Sequence, residues 1–188
     1  MKQARTLTDK QLRAVFFHCS TRRHAVRDRA IIAFSFYAGL RAKEIAALTI
    51  DNVFDEKGDV RDEFVLLKQQ TKGKKARRVF VCSKLKKELH GYLDKVYIRD
   101  GCNALFQSQK GNAFSPNTIC QLFLNIFSQC QIEGASSHSG RRYMLSTLAS
   151  KGISVRILAE IAGHSSIQVT QRYLDVNDHM LRSSIELI

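Results

Sequence analysis

The chain has 188 residues, 44% of them hydrophobic, so it is long enough to bury a core as one domain spanning residues 1–188. Its 30 Lys and Arg outweigh 17 Asp and Glu, giving a formal net charge of +13 that is spread along the chain and not confined to a tail. This excess favours a polyanionic partner, although charge alone equally allows a ribosomal or membrane-surface protein.

The five cysteines are odd in number and form no Cys-x-x-Cys pair, which argues against a disulfide framework and against a zinc ribbon. No apolar run approaches the ~20 residues that a membrane span requires, and the first ten residues hold no apolar signal segment. We therefore expect a cytoplasmic protein with reduced thiols and no membrane partner.

The first part of the chain predicts helices. Thr8 begins a capping-box pattern, which predicts a helix through about His18. A second, mostly buried helix is expected from about Arg23 to Tyr37, and Gly39 is expected to end it.

An arginine and a glutamate follow this second helix. Arg41 comes directly after the Gly39 turn, at the start of a short predicted helix, so a rigid element would hold its side chain. Glu44 lies three residues later, within one helical turn, where its carboxylate can orient the guanidinium by a charge-assisted hydrogen bond. The alternative is a local surface ion pair worth under about 1 kcal/mol.

After Asp51 the pattern changes to two runs rich in β-branched and apolar residues, EFVLLK and RRVFVC, on either side of TKGKKA. This pattern predicts a β-hairpin with a lysine-rich tip. We interpret Lys74 and Lys75 as solvated basic residues that contact a phosphate backbone, and Arg77 and Arg78 as contacts from the face of the strand.

The remaining segments are interpreted as packing elements. Leucines at helical spacing predict one helix from Ser83 to about Arg99. A short strand is expected at Ala104–Phe106, and a helix from Ser115 to near Gln131. Asn177 or Asp178 is expected to cap a short apolar tail helix.

The stretch SSHSGRRYMLSTLASKGISVRILAEIAGHSSIQVTQRYLD combines two histidines, an arginine and a tyrosine on amphipathic helices whose apolar positions are already filled. A guanidinium binds two phosphate oxygens, an imidazole moves a proton and a phenol can attack phosphorus. Each residue alone is better explained as a helix cap, a core residue or a surface residue. Together they favour phosphodiester chemistry, and they are His138, Arg141, His164 and Tyr173.

This stretch resembles the tyrosine recombinases, the integrase family of site-specific DNA recombinases. In that family a His-x-x-Arg box opens a helix, a Gly-His pair follows a short amphipathic helix, and the nucleophilic tyrosine comes about nine residues later. The resemblance runs from about Thr6 to about Val176 and includes the Gly-Leu-Arg-x-x-Glu setting of Arg41. The chain departs from the family at Gly140, where many members have leucine, and at Arg142, where many have histidine.

The resemblance implies an enzyme that cleaves and rejoins double-stranded DNA through a 3′-phosphotyrosyl bond formed by the nucleophile Tyr173. Two arginines would clamp the phosphate, Lys72 would protonate the leaving 5′ oxygen, and Glu44 would support Arg41. His138 is the expected base, and His164 is expected to donate a hydrogen bond to the phosphate. The implied catalytic residues are Arg41, Lys72, His138, Arg141, His164 and Tyr173. The residues expected to contact DNA are the basic Lys74, Lys75, Arg77 and Arg142.

The family also implies an α+β fold, a mainly helical catalytic domain with a small antiparallel β-sheet. An N-terminal core-binding domain is not expected within these residues. No metal or other cofactor is expected, because positioned cations would neutralise the phosphate. Self-assembly as a tetramer on DNA is expected, and the tail helix would pack either on its own core or on a neighbouring protomer.

Two other functions remain open at this point. A tyrosine-type topoisomerase shares the chemistry but does not pair two sites, and a DNA-binding regulator could keep the fold without catalysis. A basic metal-dependent nuclease has less support, because the chain holds no carboxylate cluster for magnesium. The proposed site also requires that Arg41 and Arg141 face a common pocket.

Overall fold

The computed structural model describes residues 3–71, 75–99, 101–173, 181–182 and 185–186. Within these ranges the chain forms ten helices and one two-stranded antiparallel sheet, so the predicted α+β, mainly helical architecture is confirmed. None of the described helices combines the length and the apolar character that crossing a membrane requires.

Helices α1 to α4 precede the sheet; they are Asp9–Ser20, Ala25–Tyr37, Ala42–Ala46 and Ile50–Val53. The predicted capping box is present at Thr8, whose side chain accepts from the backbone N–H of Gln11 while the Gln11 side chain accepts in return. Gly39 follows α2 with φ +63°, a conformation that glycine adopts without steric cost, and the chain turns there into α3.

The predicted hairpin is formed by β1 (Glu63–Leu66) and β2 (Arg77–Phe80), which pair antiparallel with Phe64 opposite Val79. The next element differs from the prediction. In place of one helix from Ser83 to Arg99, the chain forms α5 (Ser83–Leu89) and α6 (Tyr92–Lys95), because Gly91 adopts φ +63° and breaks the helix.

The prediction of a strand at Ala104–Phe106 is also wrong. Ala104 forms only an isolated bridge with Thr49, because the partner segment turns at once into α4. The remaining helices α7 to α10 are Pro116–Gln129, Ser139–Ser150, Val155–Ala162 and Ile167–Gln171. Ser115 caps α7 as predicted, and both candidate caps of the tail helix lie outside the described residues.

The core is organised around α2, whose residues Ala30–Phe36 are all buried. Helices α1, α5 and α8 pack against α2, and each buried Phe or Ile side chain contributes roughly 1.5–3 kcal/mol of transfer free energy. A second, smaller apolar cluster joins α8 to α9 and includes the ring of Tyr173; its buried members are Met144, Leu145, Ala149, Leu158 and Ala162. These two clusters place the end of α2, the start of α8 and the end of α9 side by side.

Candidate active site

Glu44, on α3, is a fully buried carboxylate at the centre of the site. Its Oε1 accepts from Nη1 of Arg41 at 3.0 Å, and its Oε2 accepts from Nη2 of Arg77 at 2.9 Å and from the backbone N–H of Arg41 at 2.9 Å. Nη1 of Arg141 lies 3.9 Å from the same Oε2. Burial alone would raise the pKa of Glu44, but the Arg77 guanidinium, the backbone N–H of Arg41 and the charge of Arg141 hold it below its ordinary value. Three positive charges therefore face one negative charge, which suits the site to an anion.

Arg141 is the most deeply buried of these guanidiniums, with 1% of its side chain exposed. Its Nη1 donates to the carbonyl of Gly39 at 2.7 Å, and its Nη2 donates to the carbonyl of Ala162. Its Nε is buried and has no hydrogen-bond partner among the described residues. Burial, together with the nearby Arg41, lowers the pKa of Arg141 to about 9, so the group stays positively charged at neutral pH.

His164 follows Gly163, which ends α9 in the left-handed conformation at φ +61°. Its Nδ1 lies 2.8 Å from Oγ1 of Thr170, and its buried Nε2 has no hydrogen-bond partner within the described ranges. Burial, then the positive charges of Arg141 and the two other arginines around Glu44, lower the pKa of His164 to about 4. The imidazole is therefore neutral at pH 7.

Tyr173 lies against His164. The two rings stack with their centroids 5.5 Å apart and an interplanar angle of 25°. The guanidinium of Arg142 also lies over the tyrosine ring, with its Cζ 5.5 Å from the ring centroid. The hydroxyl of Ser146 donates to the carbonyl of Tyr173 at 3.0 Å, so both the ring and the backbone of the tyrosine are held by α8.

Two arginines that the sequence assigned to DNA contacts point inward instead. Arg77 has 8% of its side chain exposed, and besides Glu44 it binds the carbonyl of Ile161 through Nη1 at 2.9 Å. Arg142 is 6% exposed, and its Nε donates to Oγ1 of Thr6 at 3.3 Å. The sequence pattern does not show whether an arginine on a strand or helix faces solvent or the interior. Only the hydrogen-bond partners in the fold distinguish the two cases.

The other predicted residues are placed as follows. His138 is exposed immediately before α8, one helical turn ahead of Arg141, and its carbonyl accepts from the backbone N–H of Arg142 at 3.1 Å. Lys75 is exposed, and its carbonyl accepts from the Thr71 hydroxyl at 2.9 Å. Lys72 and Lys74 lie outside the described residues, so their roles stay predictions.

An open cleft of about 1080 Å³ runs past this group between the hairpin, α3 and the end of α9. Arg41, Lys75, Arg77 and His164 line it. Arg141 lies behind them against Glu44, so the expectation that Arg41 and Arg141 face a common pocket is met by Arg41 only. A smaller depression of about 560 Å³ lies near the start of α2 and is also basic, with Arg23, Arg27 and Arg99 in its wall. None of the described residues predicted for catalysis lines that depression.

Three supporting residues carry no sequence signal that we recognised. Thr170 bonds the His164 ring, Ser146 bonds the Tyr173 carbonyl, and Lys43 donates from Nζ to the carbonyl of Thr71 at 3.2 Å. Hydroxyls and lysines of this kind are common on any amphipathic helix, so only the three-dimensional contacts distinguish them.

The sequence matches the phage integrase family over residues 5–180. It is 28% identical over 163 residues to the tyrosine recombinase XerA of Pyrococcus furiosus, covering 86% of this chain and 54% of that protein. It is 28% identical over 165 residues to the tyrosine recombinase XerC of Caldanaerobacter subterraneus, covering 85% of this chain and 44% of that protein. The chain thus spans about half the length of these curated relatives.

Solved structures share the fold. A crystal structure of XerA recombinase superposes with a TM-score of 0.80 at 24% identity, covering 100% of this chain and 66% of that one. A structure of XerH site-specific recombinase bound to a palindromic difH substrate, a post-cleavage complex, superposes with a TM-score of 0.73 at 19% identity. That match covers 96% of this chain and 51% of the XerH chain.

Proposed function

Because the chain belongs to the phage integrase family, we propose that it is the catalytic part of a site-specific recombinase that breaks and rejoins double-stranded DNA. The observation that carries this proposal is the stacking of Tyr173 on the neutral imidazole of His164, beside three guanidiniums that face a single carboxylate. Its relatives are named tyrosine recombinases, and the XerH neighbour is bound to a DNA substrate.

Charge neutralisation is the first requirement of the reaction, because a phosphodiester is already anionic and repels an incoming phenolate. Arg41 lines the cleft with 21% of its side chain exposed, so it can bind a non-bridging oxygen while Glu44 orients it. Arg141 would strengthen the positive field from behind the cleft wall, because it is buried and lies against Glu44. His164 would donate from Nε2 when the Thr170 hydroxyl donates to Nδ1.

Proton transfers complete the proposed step. The phenol of a tyrosine has an ordinary pKa of ~10, so Tyr173 needs a base, and His138 is the candidate for that role. The phenolate oxygen forms a bond to phosphorus, the bond from phosphorus to the 5′ oxygen breaks, and Lys72 gives that oxygen a proton. The phosphotyrosyl ester conserves the energy of the broken bond, so a second DNA end can attack it without ATP.

Assembly on DNA belongs to the same proposal. We expect a tetramer that pairs two sites, in which the tail segment packs either on its own domain or on a neighbouring protomer. The exposed Leu181 and Ile185 in this segment offer apolar surface for either arrangement. A topoisomerase would relax supercoiled DNA without pairing two sites, so synapsis of two labelled duplexes separates these functions.

The test is covalent capture on nicked DNA duplexes that carry candidate sites, incubated in the presence of a chelator and analysed on a denaturing gel. We expect a protein–DNA adduct that Tyr173→Phe abolishes. The matched control is Tyr97→Phe, which removes the hydroxyl of a tyrosine that is 86% exposed and lies away from the cleft. Tight binding with no adduct on any duplex, including after fusion of a relative's N-terminal domain, would contradict the proposal and favour a DNA-binding regulator.

A further inference from the structure

We propose that Arg77 is a positioning residue that fixes the His164 turn against the Arg41–Glu44 pair. This inference rests on the proposed function and assigns a role that neither the family resemblance nor the sequence pattern gave to Arg77. It concerns the first residue of β2, at the point where the hairpin meets both α3 and the end of α9.

Two hydrogen bonds make Arg77 a bridge between separate parts of the site. Its Nη2 donates to Glu44 Oε2 at 2.9 Å, and its Nη1 donates to the carbonyl of Ile161 at 2.9 Å. The carbonyl belongs to the last turn of α9, three residues before His164. One guanidinium therefore sets the distance between the carboxylate that orients Arg41 and the helix end that carries the imidazole.

Close packing at Gly163 further restricts the position of the Arg77 side chain. A Cβ atom at Gly163 would lie 2.5 Å from Cδ of Arg77, closer than real Cβ contacts allow. The backbone that leads into His164 therefore lies directly on the arginine stem. Nε of Arg77 and Nε2 of His164 are also both buried without hydrogen-bond partners among the described residues.

A lysine cannot replace this arrangement, although it would keep the positive charge. The planar guanidinium donates in two fixed directions, whereas an ammonium is a point charge on a flexible stem and would reach one acceptor at a time. The His164 turn would then shift relative to Arg41. A displacement of about 1 Å in an active site can lower a rate roughly 10²-fold, so the cleavage step is where the effect should appear.

The first experiment compares Arg77→Lys with Arg61→Lys in single-turnover adduct formation at saturating protein on nicked DNA. Arg61 is the matched control, because it is exposed and its guanidinium also donates to a backbone carbonyl, from Nε to that of Phe54 at 3.0 Å. We expect Arg77→Lys to lower the cleavage rate roughly 10²-fold with DNA affinity and melting temperature near those of the wild type. Arg61→Lys should cleave at the wild-type rate.

A second measurement follows the imidazole directly and needs no catalysis. In Arg77→Met, loss of one of the three nearby cations should raise the pKa of His164, measured by NMR of the ring nitrogens, while Arg61→Met should leave it unchanged. If the wild type forms no adduct, the proposed function fails, yet this titration still tests the contact.

Three results would overturn the positioning role. The first is wild-type cleavage by Arg77→Lys, and the second is an unshifted His164 pKa in Arg77→Met. The third is a loss of cleavage that merely follows the unfolded fraction of the variant, because that would make Arg77 a stabilising residue only.

Discussion

The carboxylate of Glu44 holds together a group of residues that would otherwise repel one another. Without it, Arg41, Arg77 and Arg141 would bring three positive charges into a largely buried space. Because Glu44 is buried and satisfied by several donors, its energetic role differs from that of a surface ion pair.

We expect Glu44→Gln to lower the free energy of unfolding by about 3 kcal/mol, since the loss of one partner leaves buried charges uncompensated. Urea denaturation at neutral pH measures this change. The control is Glu63→Gln, in which the carboxylate is 46% exposed and 3.7 Å from Arg78, and the cost should stay below about 1 kcal/mol. Equal effects of the two substitutions would contradict the central role of Glu44.

The neutral imidazole of His164 predicts a pH dependence of stability. Its pKa in the folded chain is about 4, below the ordinary value of 6.5, so between these values the unfolded chain binds more protons. The contribution of His164 is therefore present above pH 6.5 and decreases as the pH falls toward 4.

His164→Asn should weaken this dependence, measured as the difference in unfolding free energy between about pH 7 and about pH 5. The exposed His90 provides the control, and His90→Asn should retain the wild-type difference. A His164→Asn protein with an unchanged pH dependence would show that the imidazole is not held neutral by the fold.

Among the secondary-structure elements, the five-residue helix α3 positions several residues of the candidate site. It begins after Arg41, its Lys43 holds the Thr71 carbonyl at the base of the lysine turn, and its Glu44 holds the start of β2. Both described flanks of that turn are therefore connected to the helix that follows Arg41.

Helices α2 and α8 form the second important contact, at Gly140. A Cβ atom there would meet the Ser35 hydroxyl and would lie 2.8 Å from the Ser35 carbonyl carbon. Gly140→Ala should therefore push the helices apart and lower the free energy of unfolding by about 1–3 kcal/mol, as other overpacked cores do. Thermal unfolding measures this loss of stability, and Ser150→Ala, at the exposed end of α8, is the control. A Gly140→Ala protein as stable as wild type would refute this close packing.

The elements that the sequence predicted well are those with local signals. The Thr8 capping box, the Ser115 cap and the alternation in the hairpin depend on neighbouring residues, and all three appear as expected. The break at Gly91 was missed because the leucine spacing continues across it, and helical periodicity does not record a left-handed residue. The inward turn of Arg77 was missed because its partners, Glu44 and Ile161, are 33 and 84 residues away in the chain.

For the molecule as a whole, the net charge of +13 is larger than the charge of the arginines in the candidate site. Most of the lysines and arginines are exposed, so under the proposed function they would neutralise phosphates along a duplex well beyond the one that reacts. This charge would favour binding to any DNA, whereas in the proposed reaction the arginines around Glu44 would act on one phosphate.

The expected consequence is a strong salt dependence of DNA binding. If about six phosphates are neutralised, affinity should fall roughly 10³-fold between about 50 and about 200 mM salt, measured by fluorescence anisotropy. Tyr173→Phe should show the same slope as the wild type, because a phenol hydroxyl releases no counterion. A nearly flat salt dependence would contradict DNA as the partner.

The amino-terminal segment contacts the peptide that leads into Tyr173. Nε2 of Gln3 donates to the carbonyl of Arg172 at 2.6 Å, and Nη1 of Arg142 approaches the same oxygen at 3.4 Å. Tension or torque applied near Gln3, whether by an affinity tag or by another polypeptide fused there, would thus be transmitted to the residue beside Tyr173. Gln3 and the backbone before Tyr173 are therefore mechanically linked, and a fusion near Gln3 should be read as a perturbation of the tyrosine.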